Sequence, residues 1–127
     1  MIYCHGTVER TLDRITAVHA YGVDAELTAV EKKFEIDRRE LLRIWSWEQG
    51  DCWDSTNPQS AAFFNQTVQP LIAMRLLSSD KGRSGCDLAI RFEPKGSEIK
   101  EKVDAELSSI FGGETAEWIR QAVRKVI

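Results

Sequence analysis

The sequence lacks any run of apolar residues long enough to cross a membrane. A membrane-spanning helix needs about 18 or more such residues in succession. The first ten residues, MIYCHGTVER, also lack the basic stretch and the apolar core of a secretory signal. From these two absences we expect a cytoplasmic protein that does not enter a membrane.

Cysteine is scarce, since only Cys4, Cys52 and Cys86 occur and they lie far apart in the chain. An odd number of cysteines at wide spacing is not typical of a disulfide framework. The sequence contains no CxxC pair, which is the usual mark of a zinc site. We therefore expect reduced structural thiols, no bound metal and no other cofactor.

Catalytic motifs are also missing. The sequence contains no HExxH, no GxSxG and no P-loop. Neither of the two histidines, His5 and His19, has a serine or cysteine partner at a recognisable spacing. His19 falls on the apolar side of a predicted helix, which is typical of a core histidine. We therefore expect a protein that is not an enzyme.

An excess of positive charge is absent as well. The chain has 17 lysines and arginines against 20 aspartates and glutamates, so its net charge is −3. Proteins that bind nucleic acid without sequence preference normally present a strongly cationic surface. The charge balance argues against an extended cationic surface. It does not argue against DNA binding through a few well-placed arginines.

The N-terminal part of the 127-residue chain has the apolar spacing of helices. This spacing predicts one helix over residues 7–21 and a second over 25–34. A third helix is predicted over 38–49, where Asp37 and Glu40 resemble a capping box and Gly50 ends the helix. We interpret residues 1–50 as a compact three-helix unit.

Residues 51–83 follow as a second segment. It begins with a polar loop and continues with a helix over 60–78, which Pro70 should kink or split. Residues 79–85, SDKGRSG, have the composition of a flexible linker.

The hydrophobic period changes after this linker. Apolar and polar residues alternate over 86–92, which predicts a short strand with Leu88, Ile90 and Phe92 on its buried side. Helices are predicted over 98–111 and 116–127, with Ser97 and Thr115 as their caps. The predicted fold class is therefore mainly α with one short strand (α+β). It places an N-terminal helical bundle before a strand-helix-helix unit over residues 84–127.

The stretch DLAIRFEPKGSEIKEKVDAELSSIFGGETAEWIRQAV resembles a ribbon-helix-helix DNA-binding unit of the Arc and MetJ type, over residues 87–127. In that family two chains pair their strands into a ribbon that enters the DNA major groove. The resemblance implies a homodimer in which Asp87, Ala89 and Arg91 read base edges. It also implies that Thr115 and the backbone beside it hold a phosphate.

Residues 20–45 show a weaker similarity to the helix-turn-helix of phage repressors, carried by AYGVDAEL and EIDRRELLRIW. The similarity implies that Arg38, Arg39 and Arg43 lie on a recognition helix. The same stretch also fits an ordinary helical hairpin with a solvated arginine face. A third possibility is a first ribbon-helix-helix unit whose strand would be residues 14–21.

Three tryptophans, Trp45, Trp47 and Trp53, lie close together in the sequence. Trp45 falls on the buried side of the third helix, and Trp47 falls nearly opposite to it. Residues 60–78 could cover Trp47. Otherwise Trp47 and Trp53, with Asp51 and Asp54 beside them, would form an acidic aromatic surface suited to a protein partner.

Two functions from different classes follow from these patterns. The first is a small DNA-binding transcriptional regulator of the repressor type, which binds double-stranded DNA as a dimer through its C-terminal strand. The alternative is a non-enzymatic inhibitor or adaptor, such as a phage-encoded anti-defence protein, that binds a protein through the acidic tryptophan surface. Pairing of strand 86–92 with a second copy would favour the first, and pairing within one chain would favour the alternative.

Overall fold

The computed structural model describes residues 24–126, with the side chain of residue 126 excepted. The helix predicted over 7–21, both histidines and the alternative strand at 14–21 lie outside these residues.

The described part of the chain is mainly α-helical, with one small antiparallel sheet, so the predicted α+β class is confirmed. The expected single strand is wrong, because the sheet has three strands. In chain order the elements are α1 (Asp24–Phe34), α2 (Arg38–Ser46), β1 (Cys52–Trp53), α3 (Pro58–Phe63), a π-helical turn (Phe64–Val68), α4 (Gln69–Ala73), β2 (Leu77–Arg83), β3 (Cys86–Phe92), α5 (Pro94–Phe111) and α6 (Gly113–Val126). None of these helices is both long and apolar enough to span a membrane.

The described part of the chain divides into two compact units, one made of residues 24–46 with residues 99–126 and the other of Trp47–Glu98. The boundaries predicted after residues 50 and 83 differ from this division. Residues 84–92 belong with the segment before them because β3 is hydrogen-bonded to β2 along its length.

The first unit is built from helices that each bury one stripe of apolar residues. The buried residues recur three or four positions apart, as a helix packed on one face requires. They include Leu27, Val30 and Phe34 on α1, Leu41 and Trp45 on α2, Val103 and Leu107 on α5, and Ile119 and Val123 on α6. The predicted capping box is confirmed, since the Glu40 amide donates to Asp37 Oδ1 at 2.8 Å and the Asp37 amide donates to Glu40 Oε1 at 3.3 Å.

The second unit contains the antiparallel sheet, with strand order β1-β3-β2. The segment predicted as a linker is in fact β2 and the turn that follows it. Gly85 takes φ 79° in that turn, a backbone conformation that glycine adopts without steric cost. The strand was missed because LSSDKGR buries only Leu77 and shows no alternation of apolar and polar residues.

The helix predicted over 60–78 begins at Pro58 and ends earlier, at Ala73. Just before Pro70 its hydrogen bonding changes to a π-helical turn, while the backbone angles on both sides of the turn stay helical, so the chain is not interrupted there. At the end of α4 the Leu76 amide donates to the Leu71 carbonyl and the Arg75 amide donates to the Ile72 carbonyl. This is the Schellman arrangement that closes many helices.

The last two helices begin earlier than predicted. Helix α5 begins at Pro94, because proline is well suited to a first helical position, where its missing N–H is not needed. Helix α6 begins at Gly113, directly after Gly112 has closed α5 at φ 85°. Ser97 and Thr115 therefore lie within the first turns of these helices, and the prediction that they cap them is wrong.

The tight approach of α5 to the end of α4 leads to a first prediction. Gly96 is buried, and a Cβ atom there would overlap the Leu76 carbonyl oxygen. Glycine to alanine normally stabilises a helix by up to about 1 kcal/mol. We expect Gly96→Ala instead to lower the free energy of unfolding by about 1–3 kcal/mol, because the backbone must move apart. Urea denaturation followed by circular dichroism measures the change.

Gly113→Ala is the matched control, because a Cβ atom at Gly113 meets nothing within 4 Å. It should leave the free energy of unfolding unchanged or raise it slightly. Equal losses in the two variants would contradict the close approach at Gly96.

Candidate functional site: the β2–β3 hairpin

The strand that carries the predicted DNA-reading residues is the central strand of the sheet. On one side β2 pairs with it from Leu77 opposite Phe92 to Arg83 opposite Cys86. On the other side β1 pairs with it through Cys52 and Trp53. The loop before β1 continues this edge, since the Gly50 amide donates to the Ile90 carbonyl and the Phe92 amide donates to Gln49 Oε1. Both edges of β3 are thus occupied within its own chain.

This arrangement corrects the pairing that the ribbon-helix-helix resemblance implied. A ribbon between two chains needs a strand with a free edge, because each backbone N–H and C=O forms its ladder bond only once. β3 has no such edge along the residues that would form the ribbon. The pairing of β3 with β2 extends over more residues than its pairing with β1. The main partner of β3 is therefore the strand that directly precedes it in the sequence.

The three predicted readers have different environments in this sheet. Asp87 is exposed, but its carboxylate accepts hydrogen bonds from the Ser55 hydroxyl and from the Ser55 amide at 2.9 Å. These bonds stabilise the ionised form and lower the pKa of Asp87. Ala89 is only 5% exposed, so the prediction that it faces outward is wrong. Arg91 is exposed as predicted.

Arg91 belongs to a larger group of cations that the sequence reasoning did not single out. All five lysines and arginines of the unit 47–98 lie between residues 75 and 95, and all five are exposed. We call this group the cationic hairpin surface; its members are Arg75, Lys81, Arg83, Arg91 and Lys95. Within residues 24–126 no ion pair engages any of them. Only three acidic residues, Asp80, Asp87 and Glu93, lie in the same stretch.

Three of these cations, Lys81, Arg83 and Arg91, lie on the hairpin itself, on both of its faces, while Arg75 lies just before β2 and Lys95 in the first turn of α5. Lys81 and Arg83 lie toward the turn, opposite Leu88 and Cys86. Arg91 lies near the base, opposite Ser78, and its side chain is on the other face because successive residues alternate. The six steps of about 3.4 Å between the first and last of seven residues give strands of roughly 20 Å. Positive charge therefore extends from the base of the hairpin to its tip.

The arginines of α2 are placed differently from the hairpin cations. The guanidinium of Arg38 forms ion pairs with Asp24 and Glu31, both at 3.0 Å, and donates to the Thr28 hydroxyl at 3.3 Å. An arginine engaged in this way is already neutralised and held in place. Arg39 and Arg43 are half-buried. Helix α2 therefore does not expose Arg38, Arg39 and Arg43 to solvent as the similarity to a helix-turn-helix implied.

The predicted phosphate site at the start of α6 has an acidic rather than a cationic setting. Thr115 is exposed in the first turn of the helix, between Glu114 and Glu117. The pKa of Glu117 is lowered, first by a hydrogen bond from Gln121 and then by the nearby Arg120. A carboxylate that stays ionised beside Thr115 repels a phosphate, so electrostatics do not favour this site.

The tryptophan surface of the alternative function is packed inside the second unit. Trp47 is only 5% exposed, and its ring centroid lies 5.7 Å from that of Trp53 and 6.4 Å from that of Phe63. Trp53 is half-buried and also meets Phe64 at 5.7 Å. The interpretation in which residues 60–78 cover Trp47 is confirmed, and the open aromatic surface is wrong.

The two acidic residues of that predicted surface are used by the loop itself. Asp51 accepts a hydrogen bond from the Glu48 amide at 2.9 Å. Asp54 accepts from the amide and the hydroxyl of Thr56, which fixes the turn before α3. Both carboxylates thus shape the chain where they lie.

The cysteines give a further correction. Cys52 of β1 and Cys86 of β3 form a disulfide, with their Cα atoms 5.5 Å apart, where free thiols were expected. The two residues are 34 positions apart in the sequence, and only the return of β1 to the edge of β3 brings them together. The bond fixes the short strand β1 against the hairpin.

Among residues 24–126, no group of histidine, cysteine, aspartate or glutamate side chains is arranged to hold a metal ion.

Comparison with known proteins identifies no relative of this chain. No protein-family model, no curated protein and no solved structure matches the chain.

Proposed function

We propose that the protein is a non-enzymatic DNA-binding regulator that contacts double-stranded DNA through the cationic hairpin surface. The observation that supports this is the grouping of all five cations of the unit 47–98 on the hairpin (Lys81, Arg83 and Arg91) or directly beside it (Arg75 and Lys95), without an ion pair in the described residues. Exposed cations that no carboxylate neutralises are the groups that replace counterions on a phosphate backbone.

The shape of the hairpin supports the same proposal. The major groove admits a two-stranded β-ribbon, and the phosphates line both of its walls. Lys81 and Arg83 lie toward the turn on the edge strand β2, where they can contact phosphates, and Arg91 lies near the base on the other face. Arg91, which the sequence singled out as a base reader, also has the guanidinium fork that fits the edge of guanine. Binding by an intrachain hairpin does not require the strand-paired dimer.

The decisive test compares two variants with the same net charge. Lys81→Gln, Arg83→Gln and Arg91→Gln together remove three cations from the hairpin. Lys32→Gln, Lys102→Gln and Lys125→Gln together remove three exposed cations from the other unit. Binding to a short mixed-sequence duplex is measured by fluorescence anisotropy over a series of salt concentrations.

We expect the hairpin variant to lose about tenfold or more in affinity at low salt, and its log–log salt slope to fall by about 2–3, because each lost phosphate contact removes about 0.9 from the slope. The control variant should keep most of its affinity. Equal losses in both variants, or no binding by the wild type at low salt, would contradict the proposal.

A protein-binding module is the second candidate function. The pairing of β3 within its own chain is the arrangement that favours it over a strand-paired regulator. Its predicted tryptophan surface is packed inside, but Trp118 of α6 is 61% exposed, and an exposed tryptophan is a frequent anchor for a partner. Failure of the wild type to bind DNA would leave this candidate as the better supported one.

A further inference from the structure

Residues 48–57, which contain β1, bury little surface in the second unit. We call them the edge segment. None of these residues is buried. The strand β1 has only two residues, and a strand of that length is not stable through its own pairing. Segments that bury few apolar side chains are the first to open locally in a folded protein.

Hydrogen bonds attach the edge segment to β3. The Ile90 amide donates to the Asp51 carbonyl at 3.0 Å, and the Gly50 amide donates to the Ile90 carbonyl at 3.1 Å. Ser55 donates to the Asp87 carboxylate from both its amide and its hydroxyl. Gly50, Ser55 and Asp87 are exposed, so water competes for their groups and the net contribution of each bond to stability is modest.

The Cys52–Cys86 disulfide attaches the edge segment to β3 covalently. It keeps Cys52 beside β3 while the hydrogen bonds around it open and close, because a cross-link gives its two ends a high effective concentration. Both cysteines are half-buried rather than enclosed in the core. The attachment of the edge segment therefore depends on a bond near the protein surface that a thiol can break.

Trp53, which directly follows Cys52, covers an aromatic cluster of the second unit. Its ring centroid lies 5.7 Å from that of Trp47, 5.9 Å from that of Phe63 and 5.7 Å from that of Phe64. Trp47 and Phe64 are buried, whereas Trp53 is half-buried. Departure of Trp53 with the edge segment would expose the rings of Trp47 and Phe64 to water.

We propose that the Cys52–Cys86 disulfide is a redox switch. In the oxidised form it holds the edge segment and Trp53 over the aromatic cluster, and in the reduced form the segment leaves β3. The reductant is a dithiol. Its first thiolate attacks one sulfur and releases the other cysteine, and its second thiol then displaces the attached cysteine, so that the protein gains two thiols and the dithiol becomes a disulfide.

The switch is separate from the proposed contact with DNA. The edge segment contains no lysine or arginine, and every member of the cationic hairpin surface lies outside it. Loss of DNA binding in the hairpin variant would therefore leave this proposal unaffected.

The test follows two backbone hydrogen bonds by NMR, through the scalar coupling that each bond transmits, before and after reduction with dithiothreitol in the absence of denaturant. The bond from the Ile90 amide to the Asp51 carbonyl reports on the edge segment, and the bond from the Glu93 amide to the Leu76 carbonyl is the internal control. We expect reduction to abolish the first coupling and to leave the second. Oxidised glutathione should restore the first.

The exposure of the aromatic cluster is measured in the same samples. Acrylamide should quench the tryptophan fluorescence more strongly in the reduced protein, because Trp47 loses its cover. Cys52→Ser together with Cys86→Ser should give both reduced-state signals without reductant. Cys4→Ser is the matched control and should switch as the wild type does.

Three results would overturn the proposal. The first is an Ile90–Asp51 coupling that persists after a thiol titration has shown complete reduction. The second is loss of the Glu93–Leu76 coupling as well, because the disulfide would then support the whole unit rather than the edge segment. The third is a disulfide that dithiothreitol reduces only after denaturant is added.

Discussion

Replacement of Trp45 by alanine should lower the free energy of unfolding by about 3–5 kcal/mol, the range for removal of a large buried aromatic side chain. Trp45 has no exposed surface, and its indole N–H donates to Asp104 Oδ1 at 3.2 Å. The change leaves a large cavity in the first unit and removes that hydrogen bond. Since small domains are stable by only about 5–15 kcal/mol, much of the stability would be lost.

The effect depends on more than the loss of one side chain. The Trp45 carbonyl accepts hydrogen bonds from Lys100 Nζ at 2.7 Å and from Arg120 Nε at 3.3 Å, and the Ser46 carbonyl accepts from Arg124 at 2.7 Å. These cations satisfy the carbonyls at the end of α2, where a helix has its negative pole. A shift of α2 into the cavity would weaken these bonds as well.

Trp118→Ala provides the control, because Trp118 is 61% exposed. It should change the free energy of unfolding by less than about 1 kcal/mol, as is typical of exposed positions. Guanidinium denaturation followed by circular dichroism serves for both variants. Similar losses at Trp45 and Trp118 would show that α2 is not packed as the structure places it.

Replacement of both Cys52 and Cys86 by alanine should cost about 3–4 kcal/mol of stability, as loop entropy predicts for a cross-link of this span. The disulfide closes a loop between residues 34 positions apart and thereby restricts the unfolded chain. Its loss also releases β1, which has only two residues and cannot form a strand alone. Reduction of the wild type should produce a similar loss.

A thiol titration in denaturant without reductant checks the cross-link directly. The chain has three cysteines, so one free thiol, that of Cys4, is expected before reduction and three after it. Three thiols before reduction would contradict the disulfide. An unchanged unfolding free energy in the double variant would contradict its contribution to stability.

The parts of the fold that the sequence predicted well are those specified by neighbouring residues. Strand β3 is found at 86–92 because its alternation is a local pattern that matches the period of a strand. The capping box of Asp37 and Glu40 is local in the same way, since its two bonds join residues three positions apart. Helix α1 follows the spacing of Leu27, Val30 and Phe34, all of which are buried.

Strand β2 could not be predicted in this way. Its polar sequence forms a strand because β3 offers a hydrogen-bonding edge, and that partner lies beyond the turn. Local composition therefore indicated a linker where the tertiary structure has an edge strand. Lysine and aspartate on such a strand are typical of edges that avoid pairing with other chains.

In the candidate site, too, some features are visible in the sequence and others follow only from the tertiary structure. The clustering of five cations between residues 75 and 95 is visible in the sequence, but only the pairing of β2 with β3 brings Lys81, Arg83 and Arg91 onto one hairpin. The sequence did not predict that Asp24 and Glu31 neutralise Arg38. These partners lie 14 and 7 residues away, and only the fold orients their side chains toward Arg38. Alternation assigned Ala89 to the outer face, but its side chain is buried.

The sequence alone determined the mainly helical class, the central strand and the capping box at Asp37 and Glu40, because propensity, spacing and capping act between close neighbours. The tertiary structure decided the pairing of β3 with β2, the burial of Trp47, the disulfide between Cys52 and Cys86, and the position of the cationic hairpin surface. These features join residues that are distant in sequence, and their positions follow only from the packing of the whole chain. The function we propose rests on that second group, since a surface exists only where the fold leaves side chains exposed.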